Sequence, residues 1–134
     1  MAPSFSKRVW GILFFLWMVV IFIFSSFPGS EYPFDPPLWY YLERKGAHVF
    51  EYAVLAVLAA YFYSAMFPKE KRYSIAVLSL VTAIAYGISD ELHQYYVLYR
   101  GSRIGDVFFD AAGALLGCFF WYKNFFLRKK PYKR

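Results

Sequence analysis

The chain has 134 residues, 60% of them hydrophobic and 25% aromatic, with 15 Lys and Arg against 9 Asp and Glu for a formal net charge of +6. That much apolar surface exceeds what one small soluble core buries at this length, which excludes an ordinary soluble domain and points to a membrane protein. The basic excess reads as a topology signal and an attraction to anionic lipid, not as a nucleic-acid surface.

A run of roughly 20 apolar residues carries a helix across the hydrocarbon. Four stretches qualify: residues 9–27, 46–67, 73–96 and 104–126. The sequence therefore predicts a single all-α domain over residues 1–134, an integral membrane four-helix bundle. In the first span, Lys7 and Arg8 precede an apolar run longer than the core of a signal peptide, and Ser26-Phe27-Pro28 offers no small-x-small cleavage site. That segment is expected to be retained as a helix. Pro33, Pro36 and Pro37 oppose a helix through residues 28–42, so an irregular loop is expected there, with residues 39–43 forming an interfacial turn into the second span. The third span ends in Ser89-Asp90-Glu91-Leu92-His93-Gln94, an unusual density of polar groups for an apolar helix. The fourth opens with Asp106 and Asp110 and carries Gly113-x-x-x-Gly117, a spacing that lets another helix approach closely. Its Cys118 is the only cysteine, so it forms neither an internal disulfide nor a multi-cysteine metal site and is expected to be packing.

Orientation follows from the basic residues. With four spans, Lys7, Arg8, Lys69, Lys71, Arg72, Lys123, Arg128, Lys129, Lys130, Lys133 and Arg134 fall on one side, leaving only Arg44, Lys45, Arg100 and Arg103 on the other. Both termini are accordingly expected in the cytoplasm of a multi-pass protein of the bacterial cytoplasmic membrane, with the Pro-rich loop outside. Trp39, Tyr40, Tyr41, Tyr95, Tyr96 and Tyr99 would form the outer aromatic belt, and Trp10, Trp121 and Tyr122 the inner one.

Combining topology with polarity brings Lys45, His48, Glu51, Asp90, Glu91, His93, Gln94, Asp106 and Asp110 together in the outer half of the membrane. Ionised groups at bilayer depth cost about 2.5–3.5 kcal/mol each even on the lenient insertion scale, so such a cluster is a functional candidate. Helical spacing groups Arg44, His48 and Glu51 on one face, Gly87, Asp90 and Gln94 on another, and Asp106, Asp110, Gly113 and Gly117 on a third.

Three stretches then resemble the VanZ-like family in order and spacing: Lys45-x-x-His48-x-x-x-Tyr52-Ala53-x-Leu55, Ser89-Asp90-Glu91-x-His93-Gln94, and Arg100-x-x-x-x-x-Asp106-Val107 followed by Gly113-Ala114-x-x-Gly117. Ser25-Ser26-x-Pro28 is also similar. Two departures stand out: many members carry Pro-Gly before the arginine where this chain has Leu98-Tyr99, and many carry Asn at Asp110. The resemblance implies a small polytopic bacterial membrane protein, and the family's name-giving member is associated with low-level resistance to teicoplanin. It implies no settled biochemical activity.

Mechanism must come from the residues, and three readings stay open. In the first, a binding protein holds a lipid-linked cell-wall precursor, a lipid headgroup or a glycopeptide antibiotic, with Lys45, Arg100 and Arg103 on phosphate and Glu51, Asp90, Glu91, Gln94, Asp106 and Asp110 beside His48 and His93 completing the pocket. In the second, an intramembrane enzyme uses His48, Asp90, Glu91, His93 and Asp106 in acid-base or metal-assisted chemistry on a lipid-linked phosphate or glycan. A divalent cation is compatible with these ligands, but Glu91-x-His93 and His48-x-x-Glu51 are not strong metal signatures, and no cofactor is specified. In the third, the cluster only fixes helix packing, through pairs such as Asp90 with Arg100, Lys45 or Arg44 with Glu51, and His48 with Asp106. Gly113 and Gly117 also offer a surface on which a second copy would associate.

Overall fold

The computed structural model describes residues 6–29, 37–100 and 104–127, with side chains given through residue 124. Among these residues the chain is all-helical: α1 (Lys7–Ser25), α2 (Leu38–Met66), α3 (Arg72–Tyr96) and α4 (Ile104–Leu127). Each is long and apolar enough to cross a membrane. Proline sets several boundaries: α1 ends just before Pro28, α2 starts after Pro37 and stops at Phe67-Pro68, because proline lacks the helical N–H and disfavours helix in the residue before it.

The second helix differs from the expected span. It begins at Leu38, about two turns before residue 46. No breaker lies between Pro37 and Gly46, so the stretch expected to be an interfacial turn continues α2 in a regular helix. At 29 residues α2 runs to roughly 43 Å, longer than the ~30 Å hydrocarbon layer.

Side-chain contacts fix an up-down-up-down order. α1 runs antiparallel to α2, with the Trp17 indole N–H donating to the Glu51 carbonyl (2.9 Å) and Trp10 stacked on Tyr61 at 4.4 Å. α1 runs parallel to α3, as Tyr86 Oη donates to the Met18 carbonyl and Ser26 meets His93. α2 and α4 are also parallel and make the most extensive contact in the bundle. Their closeness depends on glycine: a Cβ at Gly113 would strike the Val49 carbonyl, and one at Gly117 the Ala53 carbonyl. The face considered for a second copy is thus covered by α2 of the same chain.

Small residues continue this close approach, with Ala56, Ala59, Ala83 and Ala114 all fully buried around Leu55 and Tyr52. Without water, such helices associate through close packing and hydrogen bonds, which small side chains permit. Large apolar groups such as Phe15, Val81, Phe108 and Phe120 point outward, as expected for a lipid-facing surface. Trp121, expected in an interfacial belt, is instead a core residue at 2% exposure, packed with Ala60 and Ile75. The alanine leaves the volume the indole fills. Cys118 is buried, as expected for packing, and its thiol approaches the Ala76 carbonyl at 3.5 Å.

Candidate functional site

The bundle order places the C-terminal ends of α1 and α3 beside the N-terminal ends of α2 and α4, and the buried ionisable residues gather there. His48, Asp90, Glu91, Gln94, Asp106 and Asp110 are all buried. The sequence predicted this convergence. The pairing within it is different.

Lys45 forms an ion pair with Asp106, and its ammonium also lies 5.0 Å from the centroid of the Phe109 ring. One turn deeper, His48 Nδ1 lies 2.8 Å from Asp110 Oδ1. At that distance one proton is shared between the ring nitrogen and the carboxyl oxygen. His48 therefore meets Asp110, where Asp106 was expected, and Asp106 pairs with Lys45. The register explains the change. With Val49 seated on Gly113, the residues preceding them on the two parallel helices meet as 48 with 110 and 45 with 106.

Asp110 is fully buried, and its second oxygen, Oδ2, has no hydrogen-bond partner among the described residues. It lies against Gly87 of α3: a Cβ there would come 3.1 Å from Oδ2 and 3.3 Å from Tyr52 Cε1. Tyr52 is itself fully buried, with a hydroxyl that has no partner among the described residues. Tyr52, absent from the residues that the sequence marks as a site, lies four residues after His48 and so on the same helix face.

A second chain of bonds runs toward α1. Gln94 Nε2 donates to Asp90 Oδ2 (2.7 Å), and Arg100 Nε donates to Gln94 Oε1 (3.1 Å). Arg100 Nη1 also donates to the carbonyls of Phe24 and Phe27, at 2.8 and 2.9 Å. The expected Asp90 and Arg100 pair is thus mediated by Gln94, and the guanidinium ties the end of α1 to α3. Burial, and then the neighbouring Arg44, push the Arg100 guanidinium below its ordinary value, against the pull of Asp90, Glu51 and Glu91. It remains charged at neutral pH, since arginine starts so high.

Ser25, Arg44, His48, Glu51, Asp90, Gln94 and Arg100 line the polar side of a half-open cavity of about 80 Å³, room for a few waters or a small ion. Glu51, half-buried, belongs to this wall. His93 does not join the cluster: it faces α1, with Nε2 3.0 Å from Ser26 Oγ and its ring 4.5 Å from that of Phe22. Arg103 lies outside the described residues.

Adjacent carboxylates on α3 point to different places. Asp90 faces the polar cavity, while Glu91 lines an apolar groove between α3 and α4 of about 410 Å³, with Ile88, Leu92, Tyr95, Ile104, Val107 and Phe108. Behind that groove, ligand atoms of His48, Glu91 and Asp110 lie within 4.8 Å of one another. The groove is apolar enough for a hydrocarbon chain, and its one acidic wall residue belongs to the buried cluster.

The turn into Arg100 carries local strain. Tyr99 has φ of 58°, the left-handed region that favours glycine. Its carbonyl fills the space a side chain at Gly29 would need, and the Gly29 N–H donates to the Leu98 carbonyl at 3.0 Å.

Compared with known families, residues 10–127 match the one described as VanZ/LLP1. No curated protein and no solved structure gives a significant match.

Proposed function

The chain belongs to the VanZ-like family, and from that premise we propose that it binds the polar head of a lipid-linked ligand at the outer leaflet, the ligand's hydrocarbon chain lying in the groove between α3 and α4. Candidate ligands are a cell-wall precursor, an anionic lipid and a lipoglycopeptide such as teicoplanin. The observation that carries this reading is the placement of Glu91. It joins a lipid-facing apolar groove to a buried network of acids, imidazole and bases. Apolar walls with a few convergent polar groups are the usual form of a small-molecule site.

The outward direction rests on the positive-inside rule, with both termini cytoplasmic in a bacterial membrane. It also agrees with an antibiotic that acts outside the cytoplasmic membrane.

The His48–Asp110 pair favours a second reading, an acid-base enzyme acting on a lipid-linked phosphate or glycan. A carboxylate that holds one imidazole nitrogen orients the ring and leaves the other nitrogen to exchange protons.

The test is teicoplanin susceptibility of a sensitive host expressing the wild type, Glu91→Gln or Ile88→Trp, with membrane abundance measured in each. Ile88→Trp fills the groove without touching the buried network. Protection by the wild type, lost in both variants at equal abundance, supports the lipid-binding reading. Protection unaffected by either variant overturns it and leaves the cluster a packing device.

A further inference from the structure

We propose that His48, Glu91 and Asp110 form a binding site for a divalent transition-metal ion of the zinc or manganese class. The three residues come from α2, α3 and α4, so an ion among them would join three helices at their polar end. Each offers a ligand atom, and these atoms already lie within 4.8 Å of one another. Donors around a zinc-sized ion stand roughly 3–4 Å apart, so closing the set takes rotamer adjustments of about an ångström. The His48 Nδ1 to Asp110 Oδ1 separation of 2.8 Å is a hydrogen-bond distance, and it needs to widen by only about half an ångström for the two atoms to share an ion.

Asp110 supplies the independent observation. It is fully buried, yet Oδ2 has no donor among the described residues, a costly state for a carboxylate. Gly87 lets the α3 backbone come close to that oxygen, since a Cβ there would stand only 3.1 Å from Oδ2. A cation meets the need that hydrogen bonding leaves unmet.

Charge and donor type select the ion. One imidazole and two carboxylates form a mixed nitrogen and oxygen set, which suits zinc, manganese or iron better than magnesium or calcium, ions that prefer oxygen alone. A 2+ charge neutralises the two carboxylates of the triad. On binding, Nδ1 gives up any proton it carries, to Nε2 from a neutral ring and to solvent from an imidazolium, because a ligating nitrogen must be deprotonated. Lys45 and Asp106, paired one turn above, stand outside the triad.

The experiment uses the full chain without a histidine tag, purified in detergent, stripped with EDTA and titrated with zinc chloride and then manganese chloride. Calorimetry and elemental analysis read the binding. The expected result is saturable binding of about one ion per chain, with affinity at least tenfold lower in Asp110→Asn and in His48→Ala. His93→Gln, which alters the chain's other histidine, keeps wild-type affinity. Absence of saturable binding to the wild type, or wild-type affinity in Asp110→Asn, overturns the proposal. Should Asp110→Asn fail to fold, the wild type decides alone: saturating ion must raise its melting temperature, and an unchanged melting point counts against the site. The readout involves neither lipid nor antibiotic, so its failure leaves the lipid-binding reading standing, and the reverse holds.

Discussion

The carbonyl of Val49 occupies the volume that a side chain at Gly113 would need. Backbone on backbone, this contact has no flexible atom that can give way. Gly113→Ala is therefore expected to destabilise the bundle by about 1–3 kcal/mol, overpacking outweighing the ~1 kcal/mol gain in helix propensity. A side chain added at Gly46, in the same pair of helices, would meet nothing within 4 Å of its Cβ. Gly46→Ala should keep that gain, roughly 1 kcal/mol of added stability. Thermal melting in one detergent reads both, and equal shifts in the same direction would contradict the register.

Lys45 and Asp106 should behave as a coupled pair. Removing one partner leaves a desolvated charge, so Lys45→Met or Asp106→Leu alone is expected to cost about 1–3 kcal/mol, a range reduced because the lysine side chain is 24% exposed. The double variant should cost less than the sum. A double-mutant cycle measured by melting checks it, and additive losses would mean that the pair carries no coupling.

Arg100→Lys is expected to loosen α1 without unfolding the rest. Lysine cannot hold the Gln94 side chain and two carbonyls at once in the planar fork that Arg100 uses. A loss of about 1–2 kcal/mol follows from charge-assisted bonds that are partly exposed. Hydrogen exchange should rise over residues 24–29 while residues 45–60 stay protected.

Tyr99→Gly should stabilise the turn. At φ of 58° a tyrosine costs about 1 kcal/mol relative to glycine, and the residue is 57% exposed, so little packing is lost. Many family members carry Pro-Gly where this chain has Leu98-Tyr99, which is the residue type that the backbone demands. A rise in melting temperature is expected, and a fall would mean that the ring has contacts worth more than the strain.

Hydropathy made four helices legible because each needs only length and apolar content. The start of α2 was not, since three prolines argued for a loop and only their exact position shows that helix can begin directly after the last of them. Convergence of Lys45, His48, Asp90, Glu91, Asp106 and Asp110 was legible from topology, which sorts residues by depth. Their pairing was not. Depth cannot distinguish Asp106 from Asp110 as the partner of His48, because that choice belongs to the register set by Gly113 against Val49 and Gly117 against Ala53. His93 was misplaced for a related reason: on α3, Glu91 and His93 lie two residues apart and so face opposite sides, one toward α4 and the other toward Ser26.

Cys118, the chain's single thiol, is buried in the bundle. The wild-type protein is therefore close to a silent background for thiol labelling: a cysteine introduced at Leu38 or Glu70, at opposite ends of the bundle, will report against little native signal. An impermeant maleimide applied to intact cells should label Leu38→Cys and spare Glu70→Cys if the polar end faces outward. The reverse pattern would turn the cluster, and everything that it binds, toward the cytoplasm.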